Sequence, residues 1–191
     1  VNDAAIPGVD TGRIETTGTG SLLGFGGIRM QVIGAPKTPR LNGVLLRGFG
    51  LTYDGVDAFT SRKSVEMGGI AVTRALSINK SESYARFFDT FTNTTATTLS
   101  IDVDFGGQLG GRTDYSGPYY QSAVVATSSG DTGVGTDDSW VEVSTGEPSV
   151  RGPAGVVLGT PGSGNLTRTS NFLEHPFTSE LVSGGDEGNQ Y

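Results

Sequence analysis

The chain lacks cysteine altogether and has one histidine and three lysines among its 191 residues. Without cysteine there can be no disulfide, thiolate nucleophile, zinc ribbon or iron–sulfur cluster. With His175 as the only histidine, a histidine-rich metal centre within this chain is excluded as well. No stretch approaches the roughly 20 apolar residues of a membrane-spanning helix, so membrane insertion is not expected. Nor does any segment carry a convincing 3.6-residue periodicity, and there is no internal repeat. The cations Lys37, Lys63 and Lys80 and the scattered arginines form no basic stripe, and the net charge is −7. Neutralising phosphates takes clustered cations, so nucleic acid and anionic membranes are poor partners. The plain meaning of such an acidic surface is solubility.

What the chain does contain is glycine, threonine and alternating patterns. Its 31 glycines exceed the usual share of about 7% and follow no three-residue period. They gather instead at the ends of extended runs, as turns with positive φ require. In Thr98–Phe105, Leu99, Ile101, Val103 and Phe105 alternate with Ser100, Asp102 and Asp104, a period of two that specifies a strand. Together with the runs before it, this predicts three consecutive antiparallel strands between Ile70 and Gly111. The fold class expected is all-β, an antiparallel β-sandwich with long glycine-rich loops.

Read along its length, the chain opens with a polar arm, residues 1–20. A β-sandwich over residues 21–159 follows, and then a loop-rich segment, 160–191. Strands are expected at Ser21–Ile33, Val44–Tyr53, Ser83–Thr92, Thr98–Phe105, Tyr119–Thr127, Ser139–Val143 and Gly155–Gly159, with a tight hairpin over Ser64–Ile78. Asp54-Gly55 and the pair in Met67-Gly68-Gly69-Ile70 are turn signals. In the strand after Met67, Ile70, Val72, Leu76 and Ile78 share a face that Arg74 interrupts. An arginine there is expected either at an edge position or paired inside the core with a carboxylate such as Asp89, with a catalytic or ligand-binding role the lesser alternative. Ser83–Thr92 has apolar residues on both faces, which predicts a central strand covered on both sides.

The tail Ser183–Tyr191 has the composition of an exposed loop tip. If the sheet continued past it, the chain would leave an unpaired strand edge, so either the sandwich is finished before residue 160 or a further segment or another chain is expected to complete the sheet. The first residue, Val1, fits removal of a signal peptide or excision from a longer chain. Low lysine, abundant threonine and glycine and the missing thiol favour a bacterial protein that is secreted or held at the cell surface.

Catalytic constellations are sparse. His175 stands beside Pro176, no G-x-S-x-G elbow exists, and such a histidine is ordinarily just solvated. Asp102 and Asp104 lie two residues apart on one strand face, roughly 7 Å, a spacing that suits a glycosidase pair in principle. The simpler expectation is the solvent face of an alternating strand. No residue is therefore assigned a catalytic role. Asp131, Asp137 and Asp138 share a glycine-rich loop and supply the oxygen ligands a Ca2+ ion takes, although the spacing is not that of an EF-hand. Calcium as a structural ion is the one cofactor suggested. Tyr119, Tyr120 and Trp140 are candidate ligand-binding residues with rings able to stack on a glycan, while ordinary packing accounts for each as simply.

Asp54-Gly55-Val56-Asp57-Ala58, Ala85–Asn93 (ARFFDTFTN), Gly106–Gly110 (GGQLG), Thr127–Asp131 (TSSGD) and Asp138-Ser139-Trp140 resemble a β-sandwich module of secreted bacterial multidomain hydrolases and surface proteins. The resemblance covers residues 54–140 and defines no catalytic motif. It implies a non-catalytic extracellular scaffold or recognition module of a larger protein. Two other roles are compatible with the residues. One is a subunit of a proteolytically processed hydrolase, of amidase or peptidase type, with its catalytic residues in a partner chain. The other is a strand-exchanging subunit of a surface fibre or layer.

Overall fold

The computed structural model describes residues 10–15, 23–35, 45–108, 123–135, 137–144, 154–157, 169–171 and 187–190. Thirteen strands run through them: β1 (Ile14–Glu15), β2 (Leu23–Val32), β3 (Leu51–Tyr53), β4 (Ala58–Ser61), β5 (Val65–Met67), β6 (Ile70–Asn79), β7 (Tyr84–Asn93), β8 (Ile101–Gln108), β9 (Ala123–Thr127), β10 (Trp140–Ser144), β11 (Ala154–Val157), β12 (Thr169–Asn171) and β13 (Glu187–Gln190). No helix occurs among the described residues. The expected all-β, antiparallel character is what the described residues adopt.

The hydrogen-bonding orders are β1-β2-β8-β13-β12, β11-β10-β9, and β3-β4-β6-β5 with β7 on the other side of β6. Two compact units emerge. One holds residues 10–13, 26–35 and 45–104; the other holds 14–15, 23–25, 105–108, 123–135, 137–144, 154–157, 169–171 and 187–190. Strands β12 and β13 therefore arise within the stretch whose composition reads as loop.

In the first unit the organising element is the β6/β7 hairpin, paired without a bulge from Ile70↔Asn93 to Asn79↔Tyr84. The turn at Asn79 is closed by its own side chain, whose Oδ1 accepts the N–H groups of Ser81 and Glu82, both at 3.0 Å. Such local bonding is why asparagine initiates turns. On the opposite flank, β4 pairs with the C-terminal half of β6 and β5 with its N-terminal half. Met67 opposes Ile70 across Gly68 and Gly69, whose φ values are +57° and +85°. Both central residues at positive φ make this the type I′ connection that matches strand twist.

Alternation fixes the inner face of β6: Ile70, Val72, Arg74 and Leu76 are buried. With Ile28, Met30, Val32, Leu46, Phe49, Leu51 and Met67 they form the core of this unit. In the second unit Val141 and Val143 of β10 are fully buried, and Phe25 meets Phe105 edge-on with ring centroids 5.4 Å apart.

Three expectations are corrected. Among the described residues β7 pairs with β6 only, and Phe88 on its outer face is 68% exposed, so β7 is not a strand covered on both sides. Phe87, Asp89 and Phe91 face inward, leaving the even-numbered residues outward. The third strand of the predicted run, β8, leaves this sheet and neighbours β2 and β13 instead. It also continues through Gly106 and Gly107, where a break was expected. Lastly, Val44–Tyr53 is not one strand. Leu45 makes a single bridge to Arg29, and the strand resumes only at Leu51. Between them Asp10 intervenes, its carbonyl taking the Gly48 N–H at 2.9 Å and its Oδ2 the Leu51 N–H at 3.1 Å.

Candidate functional site

Among the described residues, charged groups lie inside this fold in two arginine–aspartate pairs and, apart from them, at Asp10 and Asp138. Arg74 is 2% exposed and stands directly opposite Asp89 in the β6/β7 register. Its Nε donates to Asp89 Oδ1 at 2.7 Å and its Nη2 to Oδ2 at 3.0 Å, the fork geometry that guanidinium and carboxylate share. Nη1 donates to the carbonyls of Thr11 at 2.9 Å and Gly26 at 2.5 Å. The guanidinium carbon lies 5.0 Å from the Phe87 ring centroid and 5.7 Å from that of Phe49, so its charge also meets aromatic faces. Four hydrogen bonds thus occupy this side chain. The expected core pairing with Asp89 is realised. Such saturation suits a strut that ties β7, β2 and the segment at Thr11 to β6, rather than a group held ready for a ligand.

Arg29 and Asp104 form the second pair. Ile33 N–H bonds Ser100 O at 2.9 Å, Gln31 Nε2 donates to Asp102 Oδ2 at 2.7 Å, and Arg29 Nη1 lies 3.8 Å from Asp104 Oδ2. The steps ascend β2 as they descend β8, which makes the pairing antiparallel. Asp102 is exposed as expected, whereas Asp104 is buried and Val103 is 39% exposed. The reading of both aspartates as solvent-facing therefore fails for Asp104. The reason lies on β2, where Phe25 through Met30 are buried without a break, so both faces of that strand are covered. Burial pushes the Asp104 carboxyl up to about 6, and the nearby Arg29 charge only partly opposes it. A glycosidase pair needs both carboxyls open to one substrate. Asp102 and Asp104 do not meet that condition.

The Asp131–Asp138 loop is built by its own carboxylates. Asp138 is buried, with Oδ1 accepting from Ser129 N–H at 3.0 Å and Ser128 Oγ–H at 3.2 Å, and Oδ2 from Gly135 N–H at 2.8 Å. The Gly135 amide is the leading cause that holds its carboxyl down at about 2. Asp131 Oδ1 accepts from Gly133 N–H at 2.8 Å and Thr127 Oγ–H at 3.1 Å. Asp137 is exposed. Amide hydrogens pointed at Asp138 would confront a cation, and among the described residues no group of three or more acidic or histidine side chains is arranged for a metal. Two of the three aspartates, Asp131 and Asp138, accept amides and hydroxyls of their own loop and so shape it.

Trp140 begins β10 opposite Val157 and is 38% exposed, while its carbonyl accepts the Ser128 N–H at 3.1 Å. Tyr119, Tyr120 and His175 lie outside the described residues. Two features escaped the sequence reading. Arg29 is one; its signal was a lone cation in the glycine-flanked run Phe25–Val32. The other is the exposure of Tyr84, Arg86 and Phe88 along β7, a shared face that was expected to be covered. Comparison with protein-family models, curated proteins and solved structures finds no match for this chain.

Proposed function

We propose that this chain is a non-catalytic β-sandwich module, a scaffold or recognition domain of a larger secreted bacterial protein. The observation that carries the reading is the use made of buried charge. The bonds of Arg74 run to Asp89 and to two backbone carbonyls, and those of Asp138 run to backbone amides and a serine hydroxyl. Groups committed to holding backbone are not poised for proton transfer or nucleophilic attack, which need a partner within reach of a substrate. The outer face of β6 and β7 supports the recognition side of the reading. It displays Tyr84, Arg86 and Phe88 beside the small residues Thr73, Ala75 and Ser77.

The test is turnover by the purified chain on ester, peptide and polysaccharide substrates. None is expected. Hydrolysis that disappears in Asp102→Asn, Asp104→Asn or His175→Asn would overturn the proposal. Native and denaturing mass spectrometry of material from its source would show whether the chain travels with a second polypeptide.

A further inference from the structure

In the second buried pair Asp104 is poorly matched to its surroundings, and that mismatch has a consequence beyond architecture. Asp104 and Arg29 have side chains 10% and 3% exposed, yet Nη1 and Oδ2 are 3.8 Å apart. That separation is too long for a hydrogen bond. Asp104 Oδ2 is buried without a hydrogen-bond partner. That oxygen has lost its water and faces a countercharge only at 3.8 Å, which favours the neutral acid.

Among the described residues, the groups around the pair can be named element by element. Arg29 faces Asp104 from β2. Asp102, two residues away on β8, is exposed and takes the Gln31 amide. The segment on the far flank of β2 contributes Leu45 and Leu46, and β13 pairs with β8 only at Gly106 and Gly107. Arg47, beside Leu46, is exposed, and Arg29 is the charge of opposite sign that acts on Asp104.

We propose that Asp104 acts as a proton-operated clasp between β2 and β8, closed when its carboxyl is neutral and loosened when it ionises. The sign follows from linkage. A carboxyl whose folded value is raised stabilises the fold fully below its ordinary value of 3.8, and that contribution fades as pH rises through about 6. The span between those values allows the pairing to open up to about a hundred-fold more readily at pH 7.5 than at pH 4. The clasp works whether the chain is a scaffold, a recognition module or an enzyme subunit.

Two readouts on the full chain test it. Carboxyl 13C NMR should show Asp104 titrating near pH 6; a midpoint below 4 contradicts the clasp. Urea unfolding between pH 5 and 7.5 gives the second readout, in a His175→Gln background because histidine titrates in the same window. The unfolding midpoint should fall as pH rises, and adding Asp104→Asn should flatten that trend and raise the midpoint at pH 7.5. An unchanged slope, or a lower midpoint at pH 7.5 in the variant, would show an ordinary ion pair and sink the proposal.

Discussion

The two arginine–aspartate pairs make an instructive contrast. Both arginines are buried and each faces its carboxylate from a neighbouring strand, yet Arg74 grips Asp89 at 2.7 and 3.0 Å while Arg29 stands 3.8 Å from Asp104. Asp89 sits in a bulge-free register directly across from its partner. Its remaining exposure, 13% of the side chain, also leaves it some contact with water. Asp104 has neither the fork nor a hydrogen bond to Oδ2. A desolvated charge is stable only where its geometry compensates the lost water. The same residue types therefore give a permanent strut in one strand pair and a proton-sensitive contact in the other.

The largest effect should come from breaking the strut. Arg74→Met leaves the Asp89 carboxylate and two carbonyls without their donor, and should cost about 3–5 kcal/mol in urea unfolding. Gly26→Ala should come next, at about 2–3 kcal/mol, because the new Cβ meets the Phe87 ring while φ is +96°. Removing the loop organiser by Asp138→Ala should act locally. Amide exchange at Ser129 and Gly135 should rise, with little change in the β6/β7 hairpin.

Acid sharpens the contrast between carboxyls. Asp138, held at about 2, contributes stability above its ordinary value of 3.8 that is lost as pH falls from there towards 2. Its sign is opposite to that of Asp104, so amide exchange followed from pH 7 to pH 3 should show the β2/β8 pairing tighten before the Asp138 loop loosens. The smallest effect is expected at Phe88→Ser, within about 0.5 kcal/mol, since the ring stands largely in solvent.

Much of the first unit was legible in the sequence because its signals are local. Alternation along Ile70–Ile78, the glycine pair at Gly68-Gly69 and the side-chain turn at Asn79 each act over a few residues and agree with one another. Arg74 with Asp89 was legible too, since a cation inside an apolar alternation needs a nearby acid. What escaped was long-range. Nothing in Thr98–Phe105 tells which face of β8 will be covered. That is decided by β2, some seventy residues earlier, and it inverts the expected burial of Val103 and Asp104. The loop of Asp131, Asp137 and Asp138 was legible in part for a related reason: composition supplies the carboxylates but not the direction of the amides that Asp131 and Asp138 accept.

The central claim is that buried charge in this chain holds backbone in place, with Arg74 as its principal strut. A double-mutant cycle of Arg74→Met and Asp89→Leu, followed by urea unfolding at pH 7, tests it most directly. The account predicts a coupling of about 2–3 kcal/mol between the two positions, the upper part of the range for contacting residues. Changes that simply add, within about 0.5 kcal/mol, would mean the pair holds nothing together, and would contradict it.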